Sequence, residues 1–506
     1  MPKSEMWVKR QTLANGEVVK DIDDVRRHDL PIEESIEVTP AIECNQAQRA
    51  NVGLPSGDSR SHKWSEDWLA LRFIDVYGDS FCWTAGMDWM VWKETRWVFD
   101  KLWMRRFACA RDMCRQLATS VDDNRRERLL SAKTIANILS LAKCDSRIIV
   151  ASEDWDSDIY RINTSGGVVD LKTSKVHPNS SIHLVTKLTA VAPVNGDCPR
   201  WMQFLKEIFP PGIRSRQDEL IDFVQKLSGY LLTGSTTEQK LFFLYGKGSN
   251  GKSVFLELLI WIMGDYGMKL SASALMKSRL AQHPTELAQL QGKRLAASSE
   301  IEDGQYWAES RIKELTGDET LSARYMRGDF FDFRQTQKHL IAGNYRPRLK
   351  GGDEAIQRRM VLIPFKAKFE GKARDDGLLD KLKAEGPQIL HWMIQGAGLW
   401  VNEGLALPDD IRDESAQYMT EMDDIAEWVE DCCEIHMDYR EAMSELHKSF
   451  TQWKGERGEK APGRIQWRER LLQQYPNIEA KRTKKARLAL GIQLNNEEKS
   501  RVQAER

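Results

Sequence analysis

An apolar run, Leu241-Phe242-Phe243-Leu244-Tyr245, stops at Gly246-Lys247-Gly248-Ser249-Asn250-Gly251-Lys252-Ser253, and a second apolar run begins at once. The octet fits GxxxxGK[ST] in full, in the setting of strand, loop and helix that such a loop requires. Five consecutive apolar residues suit a strand buried on both faces of a parallel sheet. Val254, Phe255, Leu258, Leu259 and Ile262 fall on one face of a following helix. Glycines let the loop backbone turn tightly, so that its N–H groups can face phosphate oxygens. The helix N-terminus adds the positive end of its dipole. In this arrangement Lys252 reaches the β/γ-phosphates and the Ser253 hydroxyl binds a metal ion. The expected ligands are ATP and Mg²⁺, cradled by Gly246 through Ser253.

A phosphate-binding loop of this kind needs an acidic residue at the end of a neighbouring strand, to hold Mg²⁺ and activate water. Lys293 to Ser299 is a short strand-like run that ends at Glu300, with Glu302 close behind. Glu300 is the first choice as acid and metal ligand, and Glu302 the second. Lys338 to Gly343 is another short strand, ending at Asn344. An amide there can orient water or sense the terminal phosphate; the plainer reading is a turn before Arg346-Pro347. Arg358-Arg359 precede the apolar strand Val361 to Phe365. Either arginine can serve as a finger on a neighbouring subunit's nucleotide, which requires a ring with heterologous contacts. Surface salt bridging is the alternative.

With 506 residues the chain is too long for one core, and two to four domains are expected. The net charge of −1 gives no global sign of a nucleic-acid partner, so any basic surface is local. The apolar run Val254 to Met263 is too short to span a membrane and carries Glu257. The N-terminus lacks the apolar core of a signal peptide. Eight scattered cysteines without CxxC spacing fit reduced thiols, so a cytoplasmic location without membrane partners is the expectation.

Residues 1–63 are polar and read as a flexible arm. Residues 64–200 mix helical stretches with short tryptophan-rich strands and read as an α+β domain. Residues 201–237 read as a helical linker, 238–424 as the α/β core, and 496–506 as a tail. Within 425–495, three helical stretches precede a strand pair, the pattern of a winged helix. Arg464 to Arg487 holds eight Lys or Arg against two Glu, a local charge of +6. Lys481, Arg482, Lys484, Lys485 and Arg487 form its densest part, suited to duplex or forked DNA or else to a solvated helix.

The octet, the acidic strand, Asn344-Tyr345-Arg346-Pro347, and Arg358-Arg359 running into Val361-Leu362-Ile363-Pro364-Phe365 occur in an order that resembles superfamily 3 helicases. More narrowly, the chain resembles the helicase part of the phage/plasmid primase–helicase family, which includes the poxvirus primase–helicase. Asn250 in the loop and Lys313-Glu314-Leu315-Thr316-Gly317-Asp318-Glu319 match as well. The resemblance covers roughly residues 64–495. It implies an AAA+-like P-loop core in a hexameric ring that moves on single-stranded DNA, typically 3′ to 5′. It points to Lys313, Arg324 and Arg327 as channel residues that neutralise DNA phosphates. Many relatives carry a primase domain ahead of the helicase; here about 63 residues precede Trp64, so a separate primase or polymerase is an expected partner. Ser299 stands where the family's first acid is usual, which leaves Glu300 and Glu302 as alternatives.

The sequence thus predicts an ATP-dependent replicative helicase of a mobile element. The rival is an origin-binding initiator that remodels DNA without processive unwinding. A third reading, a P-loop NTPase acting on proteins, would show no DNA-stimulated turnover.

Overall fold

In the computed structural model, the described residues are 63–101, 104–277, 284–299, 305–317, 319–324, 330–347, 349, 354–370, 374–421, 424–457, 461–482 and 487–504, with the pairs Gln11–Thr12 and Val18–Val19. Most of the expected N-terminal arm lies outside them, as do Glu300, Glu302, Arg327, Lys484 and Lys485. Packing divides the chain into two units, residues 1–83 with 100–149, and residues 84–99 with 150–506. The division does not follow the expected domain at 64–200: residues 84–99 and 150–200 belong with the later chain.

The described residues of the first unit form the helices α1 (Glu66–Tyr77), α2 (Met104–Ala118), α3 (Asp123–Leu129) and α4 (Ala132–Ala142). Three of these starts carry a side-chain cap. Ser65, Asp122 and Ser131 accept from the amides of Trp68, Arg125 and Thr134. The Ser131 cap separates α3 from α4. Leu69, Phe73, Ile74, Met113, Ile135, Ile138 and Leu139 form the buried interior.

The second unit is built on a five-stranded parallel sheet. Two helices lead into it, α5 (Pro199–Ile208) and α6 (Gln217–Leu232). Then come β1 (Leu241–Tyr245), α7 (Lys252–Met263), β2 (Gly267–Lys269), β3 (Leu295–Ser298) and α8 (Glu309–Gly317). An antiparallel hairpin follows, β4 (Thr320–Arg324) with β5 (Phe330–Arg334), then β6 (Lys338–Gly343), β7 (Met360–Pro364), α9 (Gly386–Glu403) and α10 (Asp409–Glu421). The sheet order is β2-β3-β6-β1-β7. Alternate residues enter opposite layers, as a strand's period of two demands. Phe242, Leu244, Leu340, Ala342, Val361 and Ile363 pack with α5, α6, α7 and α9. Leu241, Phe243, Ala296, Ile341, Met360 and Leu362 pack with α8, the hairpin and Tyr418 of α10. Helices α5 and α6, expected as a linker, are therefore part of the main core.

Helices α6 and α9 meet at two glycines. A Cβ built on Gly229 would run into the Ala397 amide, and one on Gly396 into the Gln225 carbonyl. Both obstacles are backbone, which cannot rotate away.

The last part of the chain holds α11 (Asp424–Cys432), β8 (Cys433–Ala442), α12 (Met443–Glu456), α13 (Arg464–Gln474), β9 (Glu479–Arg482), β10 (Arg487–Leu494) and α14 (Asn496–Ala504). The strands form an antiparallel sheet in the order β8-β10-β9. Trp428, Phe450, Trp467 and Leu471 fill a core of their own. The three expected helices and the expected strand pair are present. Strand β8 is an addition. The expected tail is instead α14, tied in by buried Val502 and by Glu498, which accepts from Ser449 Oγ at 2.7 Å.

Gly229→Ala is expected to lower the thermal midpoint clearly, since overpacking alone costs about 1–3 kcal/mol and here the clash is with backbone. Gly398→Ala, also in α9 but with only Ser174 Oγ at 3.9 Å, is expected to be neutral or stabilising by up to about 1 kcal/mol. Equal midpoints for the two variants would contradict the close crossing.

Candidate functional site

In-register parallel pairing brings the ends of three strands to one edge. Tyr245 of β1 pairs with Gly343 of β6 on one side and with Pro364 of β7 on the other. From β1 the chain runs to β2 at the far edge; from β6 it runs past β1 to β7. Such a reversal opens a crevice at the carboxyl ends of the strands, where open α/β sheets bind ligands. The loop 246–251 and Asn344 both leave the sheet there.

The loop is fixed by its neighbours. Gly251 has φ +88°, the left-handed region that favours glycine, and a Cβ there would stand 2.7 Å from Ile208. A Cβ on Gly246 would strike the Phe365 carbonyl. Asn250 is buried and donates from Nδ2 to that carbonyl at 3.1 Å; the Phe369 amide donates to Ser249 O at 2.7 Å. Gly248 differs: a Cβ there would meet nothing within 4 Å. Lys247, Gly248, Ser249 and Ser253 are exposed.

Lys252 opens α7 and is 5% exposed. Its Nζ donates to Gly246 O at 2.5 Å, Asn250 Oδ1 at 2.9 Å and Asn344 Oδ1 at 3.1 Å. All three acceptors are neutral. Burial accordingly lowers the ammonium pKa from its ordinary value to about 8. Lys252 and Asn344, 92 residues apart, thus share a hydrogen bond. On β3, Ser298 is buried and its Oγ has no partner among the described residues.

The two arginines lie at the opposite edge, ahead of β7, about 16 Å of strand from the loop. Their surroundings differ. Arg358 is exposed. Arg359 is buried, donating from Nε to Thr316 Oγ1 at 3.1 Å and from Nη1 to Ala355 O at 2.7 Å. Neither reaches the loop of its own chain.

Lys313 is half-buried on α8. Arg324 is exposed at the end of β4, its guanidinium 5.0 Å from the centre of the Phe330 ring. Lys481, Arg482 and Arg487 are exposed on β9 and β10. Arg346 was singled out only within a motif. Its guanidinium stacks over the Tyr245 ring at 4.3 Å, and Nη2 bonds Glu414 at 2.6 Å. It therefore joins the segment after Asn344 to the residue before the loop. Its place three residues past the strand was the only sequence sign of this.

Residues 70–210 match the family described as D5 N terminal like, and residues 244–359 match a family described as of unknown function. A helicase candidate of Acanthamoeba polyphaga mimivirus is 27% identical over 270 residues, covering 50% of this chain and 26% of that protein. A primase candidate of African swine fever virus is 24% identical over 247 residues, 47% of this chain and 25% of that protein. Primase D5 of fowlpox virus is 28% identical over 153 residues, 29% of this chain and 19% of that protein. The chain thus spans about a quarter or less of each relative's length. The solved C-terminal region of NrS-1 covers 85% of this chain and 99% of its own, at 11% identity and a TM-score of 0.46. The resemblance to primase–helicases, first read from motif order, is shared by relatives that carry those names. No described helix is long and apolar enough to cross a membrane.

The Lys252 environment has a pH consequence. An anion bound beside it holds the proton, so affinity is expected to fall by up to about tenfold per pH unit as pH rises above about 8. In the ligand-free protein the depressed pKa acts the other way. The unfolded chain binds more protons between about 8 and the ordinary lysine value, so stability rises with pH across that window. Titrating pyrophosphate binding by calorimetry from pH 7 to 9.5 tests this; a flat profile would reject the cationic role of Lys252.

Proposed function

We propose that this chain, which carries a D5 N terminal like segment in common with helicase- and primase-named proteins of large DNA viruses, is an ATP-driven DNA helicase motor with an AAA+-like P-loop core. The observation that carries the reading is Lys252, a buried ammonium held only by neutral oxygens at the start of a helix. Its charge is uncompensated, and the site fits an anion.

The residues present suit a Mg²⁺–nucleotide. Gly248 is glycine without any protein atom that requires it, which leaves room for close approach to the backbone. Gly246 through Ser253 would hold the phosphates, and exposed Ser253 in the first turn of α7 would supply a hydroxyl to the metal, with Glu300 or Glu302 as the acid. Bound Mg²⁺ would neutralise charge that develops on the phosphates. Lys252 would exchange its neutral acceptors for phosphate oxygens, and Asn344 would then be free to orient water.

The arginine pair divides into two roles. Arg359 is engaged inside its own chain, whereas Arg358 is exposed at the edge opposite its own loop. That supports Arg358 as a finger acting in trans, within a ring that we propose to be hexameric. Lys313, Arg324 and Arg327 would line a channel for single-stranded DNA, most directly Arg324, which ends a hairpin strand. Translocation would run 3′ to 5′. The helices α11–α13 with the antiparallel sheet support a winged-helix domain, and exposed Lys481, Arg482 and Arg487 support contact with forked DNA. The same basic sheet favours the second reading, an initiator that remodels a bound duplex.

Lys252→Ala is expected to abolish ATP turnover with an unchanged thermal midpoint. Arg358→Ala should cut turnover of the assembled ring by about 10³-fold, the scale of a finger, while Arg359→Ala should lower the thermal midpoint first. ATPase rates with and without single-stranded DNA, then strand displacement on a 3′-tailed fork, test the motor as a whole. Stimulation without displacement would transfer the assignment to the initiator; absence of DNA stimulation would end both.

A further inference from the structure

The first unit has a cavity of its own, of about 330 Å³, between the start of α1 and the α3–α4 turn. Lys63, Arg125 and Arg128 line it together with Trp64, over a floor of Leu69 and Leu129. No carboxylate lines it among the described residues. Two acids of the flanking helices have other partners. Glu66 accepts from Asn137 Nδ2 at 2.9 Å, and Asp123 pairs with Arg126. Asp122 caps α3 and meets Arg125 at 3.2 Å, both side chains more than half exposed, a pair that solvent leaves weak. Arg128 is exposed and has no ion pair among the described residues. Trp64 is only partly buried, 5.4 Å from Trp68 between ring centres, and its backbone sits at φ +78°. A bulky residue held in the left-handed region is a true outlier, and such strain concentrates at functional sites.

We propose that this cavity binds one nucleotide unit of single-stranded DNA, with the base on the Trp64 ring and the flanking phosphates on Lys63, Arg125 and Arg128. Three cations alone would serve any polyanion. A partly exposed aromatic ring among them, with Lys63 Nζ 5.5 Å from its centre, selects a polyanion that carries flat bases, the combination used by single-strand binders. The contacts go to backbone and ring face, so the site takes every base. It is a second DNA contact, apart from the P-loop unit, and it stands whether or not Lys252 drives a motor.

The test uses the full chain without ATP and a dT12 oligonucleotide. Stacking quenches tryptophan fluorescence, so the difference between wild type and Trp64→Phe isolates this ring from the other tryptophans. The expected result is a saturable Trp64-dependent quench. Arg128→Glu should weaken it by about tenfold or more and reduce its salt dependence. Identical quenching in wild type and Trp64→Phe would overturn the proposal. So would displacement of the oligonucleotide by equimolar inorganic pyrophosphate, which would make the cavity a phosphate site. ATPase of each variant is measured in parallel. Turnover without the quench removes only this site, and the quench without turnover removes only the motor.

Discussion

Burial of the central sheet on both faces is the constraint on which everything else rests. Strand β1 sends Leu241 and Phe243 into one layer and Phe242 and Leu244 into the other. Because the side-chain period is two, a slip of one residue would exchange the layers along the whole strand. Neither layer is polar, so nothing would resist such a slip except shape. The register therefore depends on complementary packing, of which the glycine crossing of α6 and α9 is the tightest part. Once register is set, Tyr245, Gly343 and Pro364 are level. The meeting of Lys252 with Asn344 then follows, held further by the Asn250–Phe365 bond and by Arg346 over the Tyr245 ring.

Three buried cations show how one chemistry serves two ends of the same sheet. At the loop edge, Lys252 faces neutral oxygens beside exposed glycine-rich backbone. At the other edge, Arg294 and Lys338 stand just before or at the starts of β3 and β6, and both are buried. Arg294 donates to the carbonyls of Leu232, Asp158 and Arg161; Lys338 donates to those of Thr233 and Thr336. Leu232 and Thr233 end α6, where the helix dipole is negative. Burial lowers the pKa of both groups, and the Arg294 charge lowers that of Lys338 further. These two cations are saturated by backbone and close the α6 end against the sheet. Lys252 has the same kind of partners but opens onto the crevice, so only there can an incoming anion compete.

What was legible in the sequence was local and periodic. The loop octet, the strand before it and the helix after it could each be read within a few residues. The acidic strand was readable as far as Ser299, and Glu300 and Glu302 lie outside the described residues. Strand β8 was not legible. Glu434, His436, Asp438 and Arg440 alternate with Ile435, Met437 and Tyr439, yet most of the strand is exposed on both faces. Its pairing with β10 carries a bulge between Ile435 and Arg440, so no buried face enforced a pattern. Helix α14 was hidden for a related reason: most of its residues are polar, and Val502 is buried in the core. The α6–α9 crossing was illegible in principle, because two mid-helix glycines far apart in sequence read only as weak helix formers.

Arg358 and Arg359 are the sharpest case of what spacing cannot distinguish. They are identical neighbours before the same strand, and the difference between them is made by Thr316, 43 residues away. Thr316 and Gly317 end α8, directly before the β4–β5 hairpin. A Cβ on Gly317 would come within 2.9 Å of the Arg359 guanidinium, so glycine there permits the contact. Arg359 also holds Ala355 O in the short helix Glu354–Gln357 that carries the chain to Arg358. Its two bonds thus tie the base of the hairpin to the segment bearing the exposed arginine. On the proposed reading those are the DNA-facing element and the element that meets a neighbour's nucleotide. A rigid link between them would make any shift of one felt by the other. Arg359 is then a positioning residue, and its loss should uncouple DNA stimulation from turnover more than it reduces turnover itself.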